Sequence, residues 1–124
     1  MMKLMIVDDS NIIRRKIERS TEVDGLEVVA TASNGVEALE QFPKVCPDIV
    51  TMDLTMPEMG GIECVERMVE IDPNVIILVI SALSDKATAI EALKKGANGF
   101  LCKPFTEEEL NRAFRELLEE ANYG

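Results

Sequence analysis

The chain has 124 residues, 47% hydrophobic and 29% charged, a balance that supports one globular domain spanning 1–124 and excludes a disordered chain. With 13 Lys and Arg against 23 Asp and Glu the net charge is -10, a field that repels phosphate backbones and argues against direct nucleic-acid binding. No apolar run approaches the roughly 20 residues needed to span a bilayer, so no membrane role is expected. The chain has no His, hence no imidazole base, no phosphohistidine and no typical zinc site. Its three Cys, at 46, 64 and 102, lack C-x-x-C spacing, which fits reduced thiols and a cytoplasmic location; Cys102 reads as buried strand filler in preference to a redox or metal residue beside Lys103.

Strand and helix patterns alternate from the start. Leu4 to Val7 is continuously apolar, as a strand covered on both faces should be, and it ends in Asp8-Asp9. Ser10 is placed to cap a helix whose Ile12, Ile13 and Ile17 point inward while Arg14, Arg15, Lys16 and Glu18 stay in solvent. Asp24-Gly25 closes that connection. Leu26 to Ala32 is strand-like but carries Glu27 and Thr31, which suits a sheet edge. Asn34-Gly35 leads into a second helix with Val36, Leu39 and Phe42 on its apolar face.

Pro47-Asp48 opens a third strand, Ile49 to Met52, which delivers Asp53 to its end before Met56-Pro57 turns the chain. Gly60-Gly61 opens a third helix, with Ile62, Val65, Met68 and Val69 inward, and Asp72-Pro73 stops it. Val75 to Ile80 is the most apolar run, expected as a central strand, and it ends in Ser81. Ser84 or Asp85 caps a fourth helix bearing Ile90, Leu93 and Ala97; Lys94 and Lys95 suit its negative end, and Gly96 stops it. Phe100-Leu101-Cys102 is a short fifth strand running into Lys103-Pro104. Thr106 with Glu109 forms a capping box for the last helix, whose buried stripe is Leu110, Ala113, Phe114, Leu117, Leu118 and Ala121.

Five strand–helix repeats imply an α/β fold, a five-stranded parallel sheet doubly wound with helices on both faces. The strand order 2-1-3-4-5 is taken over from the flavodoxin-like type rather than read from the residues. In such sheets ligands bind beyond the carboxyl ends of the strands. A lone acid there is ordinarily a turn or cap residue. Here Asp8, Asp9, Asp53, Ser81 and Lys103 all fall at that end. In the borrowed order the three carboxylates converge, and their repulsion calls for a cation; an all-oxygen cluster suits Mg²⁺ or Mn²⁺ better than zinc. Such an ion would neutralise a phosphoryl group in transit, with Lys103 and Ser81 holding further phosphate oxygens and Asp53 as nucleophile.

These residues are the ones that carry a resemblance: Asp8-Asp9, then Asp53 with Met56-Pro57 and Gly61, then Ser81-Ala82, then Lys103-Pro104. Over essentially its whole length the chain resembles a response-regulator receiver domain. The resemblance implies Asp53 as the acceptor of phosphate from a histidine kinase. It implies Asp9, Asp53 and the Thr55 carbonyl as direct metal ligands, and Asp8 as a ligand through water. Ser81 stands where the family has Thr or Ser, and Phe100 at its aromatic switch. Phosphorylation would then remake the surface of the fourth helix, fifth strand and fifth helix, where a downstream protein docks. Two new charge-assisted hydrogen bonds supply roughly 1.5–3 kcal/mol each, against the roughly 5.5 kcal/mol of a 1:99 to 99:1 shift. Thr55 and Leu83 are the positions expected to tune hydrolysis, and the nonpolar Leu83 points to slow-to-moderate self-dephosphorylation.

Other readings are weaker. A Mg²⁺-dependent aspartyl-phosphate phosphatase wants a second acid two residues after the nucleophile, where this chain has Thr55. A nucleotide carrier would need a phosphate-cradling loop, and there is no G-x-G-x-x-G. A degenerate, interaction-only receiver conflicts with the complete acidic set. A stand-alone chemotaxis-type or phosphorelay receiver is expected, the alternative being a receiver cut from a larger regulator.

Overall fold

The computed structural model describes residues 2–21, 25–56, 59–82 and 86–123, with side chains as far as Glu120. Five strands and five helices alternate: β1 (Met2–Val7), α1 (Asn11–Ser20), β2 (Leu26–Ala32), α2 (Gly35–Val45), β3 (Ile49–Met52), α3 (Gly61–Ile71), β4 (Ile76–Ser81), α4 (Lys86–Lys94), β5 (Gly99–Cys102) and α5 (Glu107–Tyr123). The strands form one sheet in the order β2-β1-β3-β4-β5, and every adjacent pair is parallel. The order assumed by analogy is therefore the observed one. β2 lies at the edge, as its polar residues suggested. β4 is an interior strand, although β3 occupies the middle.

Alternation along each strand divides the core in two. Met5, Val7, Val50, Met52, Ile77 and Val79 pack with Phe42, Val65 and Met68 from α2 and α3. Leu4, Ile6, Ile49, Leu78 and Ile80 pack on the other side with Ile17 of α1 and Leu110, Phe114 and Leu117 of α5. Both faces being covered explains why β1, β3 and β4 read as unbroken apolar runs.

The caps expected at Ser10 and in the Thr106–Glu109 box form, and Asn34, read only as part of the turn into α2, is a further cap. Ser10 accepts from the Ile13 amide at 3.3 Å and Asn34 from the Glu37 amide at 2.8 Å. In the capping box, the Thr106 amide donates to Glu109 at 2.9 Å and the Glu109 amide to Thr106 Oγ1 at 3.0 Å. The expected caps Ser84 and Asp85, together with Asp24, Pro57 and Leu83, lie outside the described residues.

Four inward assignments are corrected. Ile12 is 78% exposed, and Val36, Ile90 and Leu93 are exposed as well. Ile12 and Val36 sit in the first turns of α1 and α2, where the described residues leave them uncovered. On α4 the buried contact is made by the small Ala92, so the helix lies close and its larger residues face outward. Ala97 is buried but lies past the helix end, beyond Gly96 at φ +119°. Cys102 is exposed rather than buried, because β5 is the other sheet edge. Cys64 is the buried thiol, and burial pushes its pKa up to about 12.

Candidate functional site: an acidic pocket with one ammonium

Three residues of the pocket are set by the end of the sheet. Just past β1, the Asp8 amide donates to the Ala32 carbonyl at 3.1 Å; past β3, the Asp53 amide donates to Val7 at 2.9 Å; past β5, the Lys103 amide donates to Ser81 at 2.9 Å. The ladder thus continues one residue beyond three strands and places two acids and a lysine at one edge. The Lys103–Pro104 peptide that follows is cis.

Asp8, Asp9 and Asp53 each offer a carboxylate oxygen, all within 4.8 Å of one another. Asp8 and Asp53 are buried, at 1% and 3% exposure, while Asp9 faces solvent. Lys103 Nζ donates to Asp8 Oδ2 at 2.8 Å and lies 3.5 Å from Asp53 Oδ1. The other Asp8 oxygen accepts the Ser10 amide at 2.9 Å, and Asp53 Oδ1 accepts the Thr55 amide at 3.3 Å. Among the described residues one ammonium therefore touches two carboxylates of a cluster of three. The imbalance registers on Asp53, whose pKa is raised from 3.8 to about 6, first by burial and then by the Asp8 charge, against the lowering effect of Lys103.

This donor set fits a hard divalent cation. It consists of oxygen alone, it leaves uncompensated negative charge, and its exposed member opens the cluster to water and to an incoming anion. Zinc would ask for nitrogen or sulfur donors, and neither is present in the cluster.

α3 approaches the same loop closely. The Gly61 amide donates to the Leu54 carbonyl at 3.1 Å, and a β-carbon on Gly61 would lie 2.3 Å from the Asp53 carbonyl oxygen. Gly61 is thus a contact requirement, which its reading as a helix opener did not capture.

The predicted residues do not all enter the pocket in the same way. Asp8, Asp9, Asp53 and Lys103 are brought together. Ser81 ends β4, fully buried, and its carbonyl holds the Lys103 amide. The Thr55 side chain is exposed. Phe100 is half-buried, packed against the α2–α3 core, and lines a surface groove with Leu101, Glu109, Arg112, Ala113 and Glu116. Two residues read as solvated helix surface are engaged instead. Arg14 Nη1 donates to the Asp8 carbonyl at 2.5 Å and its other terminal nitrogen to Asn11 Oδ1, while Lys16 reaches the Phe105 carbonyl. The only sequence signal for either is that α1 begins three residues after Asp8, so its first turns must lie beside the pocket.

Comparison with known proteins agrees with this geometry. A family model described as the response regulator receiver domain matches residues 4–115. The chain is 42% identical to the chemotaxis protein CheY of Thermotoga maritima over 115 residues, 93% of this chain and 96% of that protein. It is 40% identical to CheY of Listeria monocytogenes over 116 residues, 94% of this chain and 98% of that one. Among solved structures, the CheX–CheY–BeF3–Mg²⁺ complex from Borrelia burgdorferi superposes with a TM-score of 0.90 at 31% identity, covering 94% of this chain and 89% of the other.

Proposed function

Because this chain belongs to the response-regulator receiver family of two-component systems, a family of signalling domains rather than conventional enzymes, we propose that Asp53 is its phosphoryl acceptor and that a histidine kinase is the donor. The observation that carries the reading is the convergence of Asp8, Asp9 and Asp53 on the Lys103 ammonium at the carboxyl edge of the sheet. In the transfer, an Asp53 carboxylate oxygen attacks phosphorus, the P–N bond to the donor imidazole breaks, and the imidazole leaves with the bonding pair and takes up a proton. The product is an acyl phosphate. Lys103, freed from part of its contact with Asp8, holds one phosphoryl oxygen, and the Ser81 hydroxyl holds another.

Asp8, Asp9, Asp53 and the Thr55 carbonyl would hold Mg²⁺ or Mn²⁺. Bound there, the ion supplies the positive charge that lets a dianionic phosphoryl group approach three carboxylates. The phosphorylated state draws Ser81 inward, gives Phe100 room to turn, and alters the α4–β5–α5 surface on which a downstream protein docks. Exposure of Ile90 and Leu93 supports a protein partner on that face. Coverage of nearly the full length of the two CheY relatives supports a chemotaxis-type regulator with 1–124 as one receiver domain. A cytoplasmic location goes with this reading; among the described residues no helix is long and apolar enough to cross a membrane.

The test is labelling with ³²P-acetyl phosphate or a labelled histidine kinase. Stable label that requires Mg²⁺ and disappears in Asp53→Ala is expected. Label that persists in Asp53→Ala rejects the assignment, and rapid steady release of phosphate from the wild type points to a phosphatase instead.

A further inference from the structure

α1 carries a cation whose partner lies across the molecule. Lys16 Nζ donates to the Phe105 carbonyl at 2.5 Å and sits 4.4 Å from the centroid of the Phe105 ring. Phe105 follows Lys103 by two residues and is 3% exposed, packed in the same core as Ile17 and Leu110. The 103–105 turn is therefore held at both ends: at Lys103 by the Ser81 carbonyl, 2.9 Å from its amide, and at Phe105 by Lys16. The helix bearing Lys16 is in turn fixed to the first acidic loop, through the Ser10 cap and through Arg14 on the Asp8 carbonyl. Lys16 thus joins the two loops whose ends form the Lys103–Asp8 ion pair.

An exposed helix lysine contributes little to a fold. Lys16 is half-buried and has two acceptors at once, a carbonyl oxygen and an aromatic face. We propose that Lys16 is a positioning residue for phosphoryl transfer, holding the turn after β5 so that the Lys103 ammonium stands at the acidic pocket. The proposal rests on the reading of Asp53 as acceptor. It makes no contact between Lys16 and the phosphoryl group.

The experiment compares the full chain with Lys16→Met, Lys16→Arg and Asp53→Ala. Two quantities are read: the rate of labelling by acetyl phosphate at saturating Mg²⁺, and Mg²⁺ affinity from amide shifts without phosphodonor. Lys16→Met keeps the aliphatic stem over the ring but removes charge and donor. Its labelling should slow about tenfold, within the range that a misplacement of about 1 Å produces. Its Mg²⁺ affinity should stay level or tighten, because a displaced Lys103 competes less for Asp8. Lys16→Arg should restore the rate. Labelling equal to wild type overturns the proposal, as does a joint fall in labelling and Mg²⁺ affinity, the signature of general loosening. Should Lys16→Met not fold, the folded Lys16→Gln variant takes its place under the same criteria. If the wild type itself takes no label, the reading of Asp53 fails, and tighter Mg²⁺ binding in Lys16→Met still supports the placement of Lys103.

Discussion

Lys103 donates to Asp8 across 2.8 Å although 95 positions separate the two. Asp8 is almost wholly buried and Lys103 mostly so, which makes this pair the main charge compensation inside the pocket. The same ammonium lies 3.5 Å from Asp53 and lowers its pKa against the upward push of burial and of Asp8. Lys103 thus stands where a second cation would be welcome and a phosphoryl oxygen would be held.

Removing that ammonium should have opposite effects on two ligands. In Lys103→Met, the pKa of Asp53 moves up from about 6, because the lowering charge of Lys103 is gone. Mg²⁺ should bind more tightly, since the competitor for Asp8 is lost, while labelling from acetyl phosphate falls by about tenfold or more. Carboxyl ¹³C titration, an Mg²⁺ titration and a labelling time course check the three parts.

The Asp53 shift also makes metal-free stability depend on pH. Its folded pKa of about 6 exceeds the unfolded value of 3.8, so between those values the native state binds more protons than the unfolded one. This site's contribution to stability is therefore lost as pH rises through that window and stays lost above about 6. Asp53→Asn removes the cost, and at pH 7.5 the metal-free variant should be about 1–3 kcal/mol more stable than wild type. Urea melts at pH 5 and pH 7.5 measure it, with the gap narrowing at the lower pH.

Two adjacent glycines should respond differently to the same change. A β-carbon on Gly61 meets the Asp53 carbonyl at 2.3 Å and the Leu54 backbone at 2.6 Å, whereas on Gly60 the nearest contact among the described residues is 4.0 Å. Gly61→Ala should cost about 2–3 kcal/mol and slow labelling, because the displaced backbone carries Asp53, the proposed acceptor. Gly60→Ala should be within about 0.5 kcal/mol of wild type. Denaturant melts and labelling rates of both variants check this.

Thr51 offers a stabilising change. Its side chain is 1% exposed in β3, and its hydroxyl has no hydrogen-bond partner among the described residues. Val has nearly the same shape and no polar atom to desolvate. Thr51→Val should raise stability by about 1 kcal/mol and leave labelling unchanged, as read from thermal and urea melts.

The sequence by itself determined the elements and their order. Unbroken apolar runs marked the strands covered on both faces, and Ser10, Asn34 and the Thr106–Glu109 box marked helix starts, because caps and periodicity are interactions between near neighbours in the chain. It also named Asp8, Asp9, Asp53, Ser81 and Lys103, since a parallel sheet sends all strand ends to one edge. Tertiary structure decided which side chains meet. Ile12 and Leu93 satisfy a helical apolar stripe and yet face solvent, because nothing among the described residues covers them. Lys16 has the composition of a solvated residue and yet grips Phe105, 89 positions away. The closeness of Gly61 to Asp53 belongs to the same class. A pattern with a period of two or 3.6 residues shows which face is apolar, but not what will cover it, and contacts across 89 and 95 positions depend on how the whole sheet twists and packs.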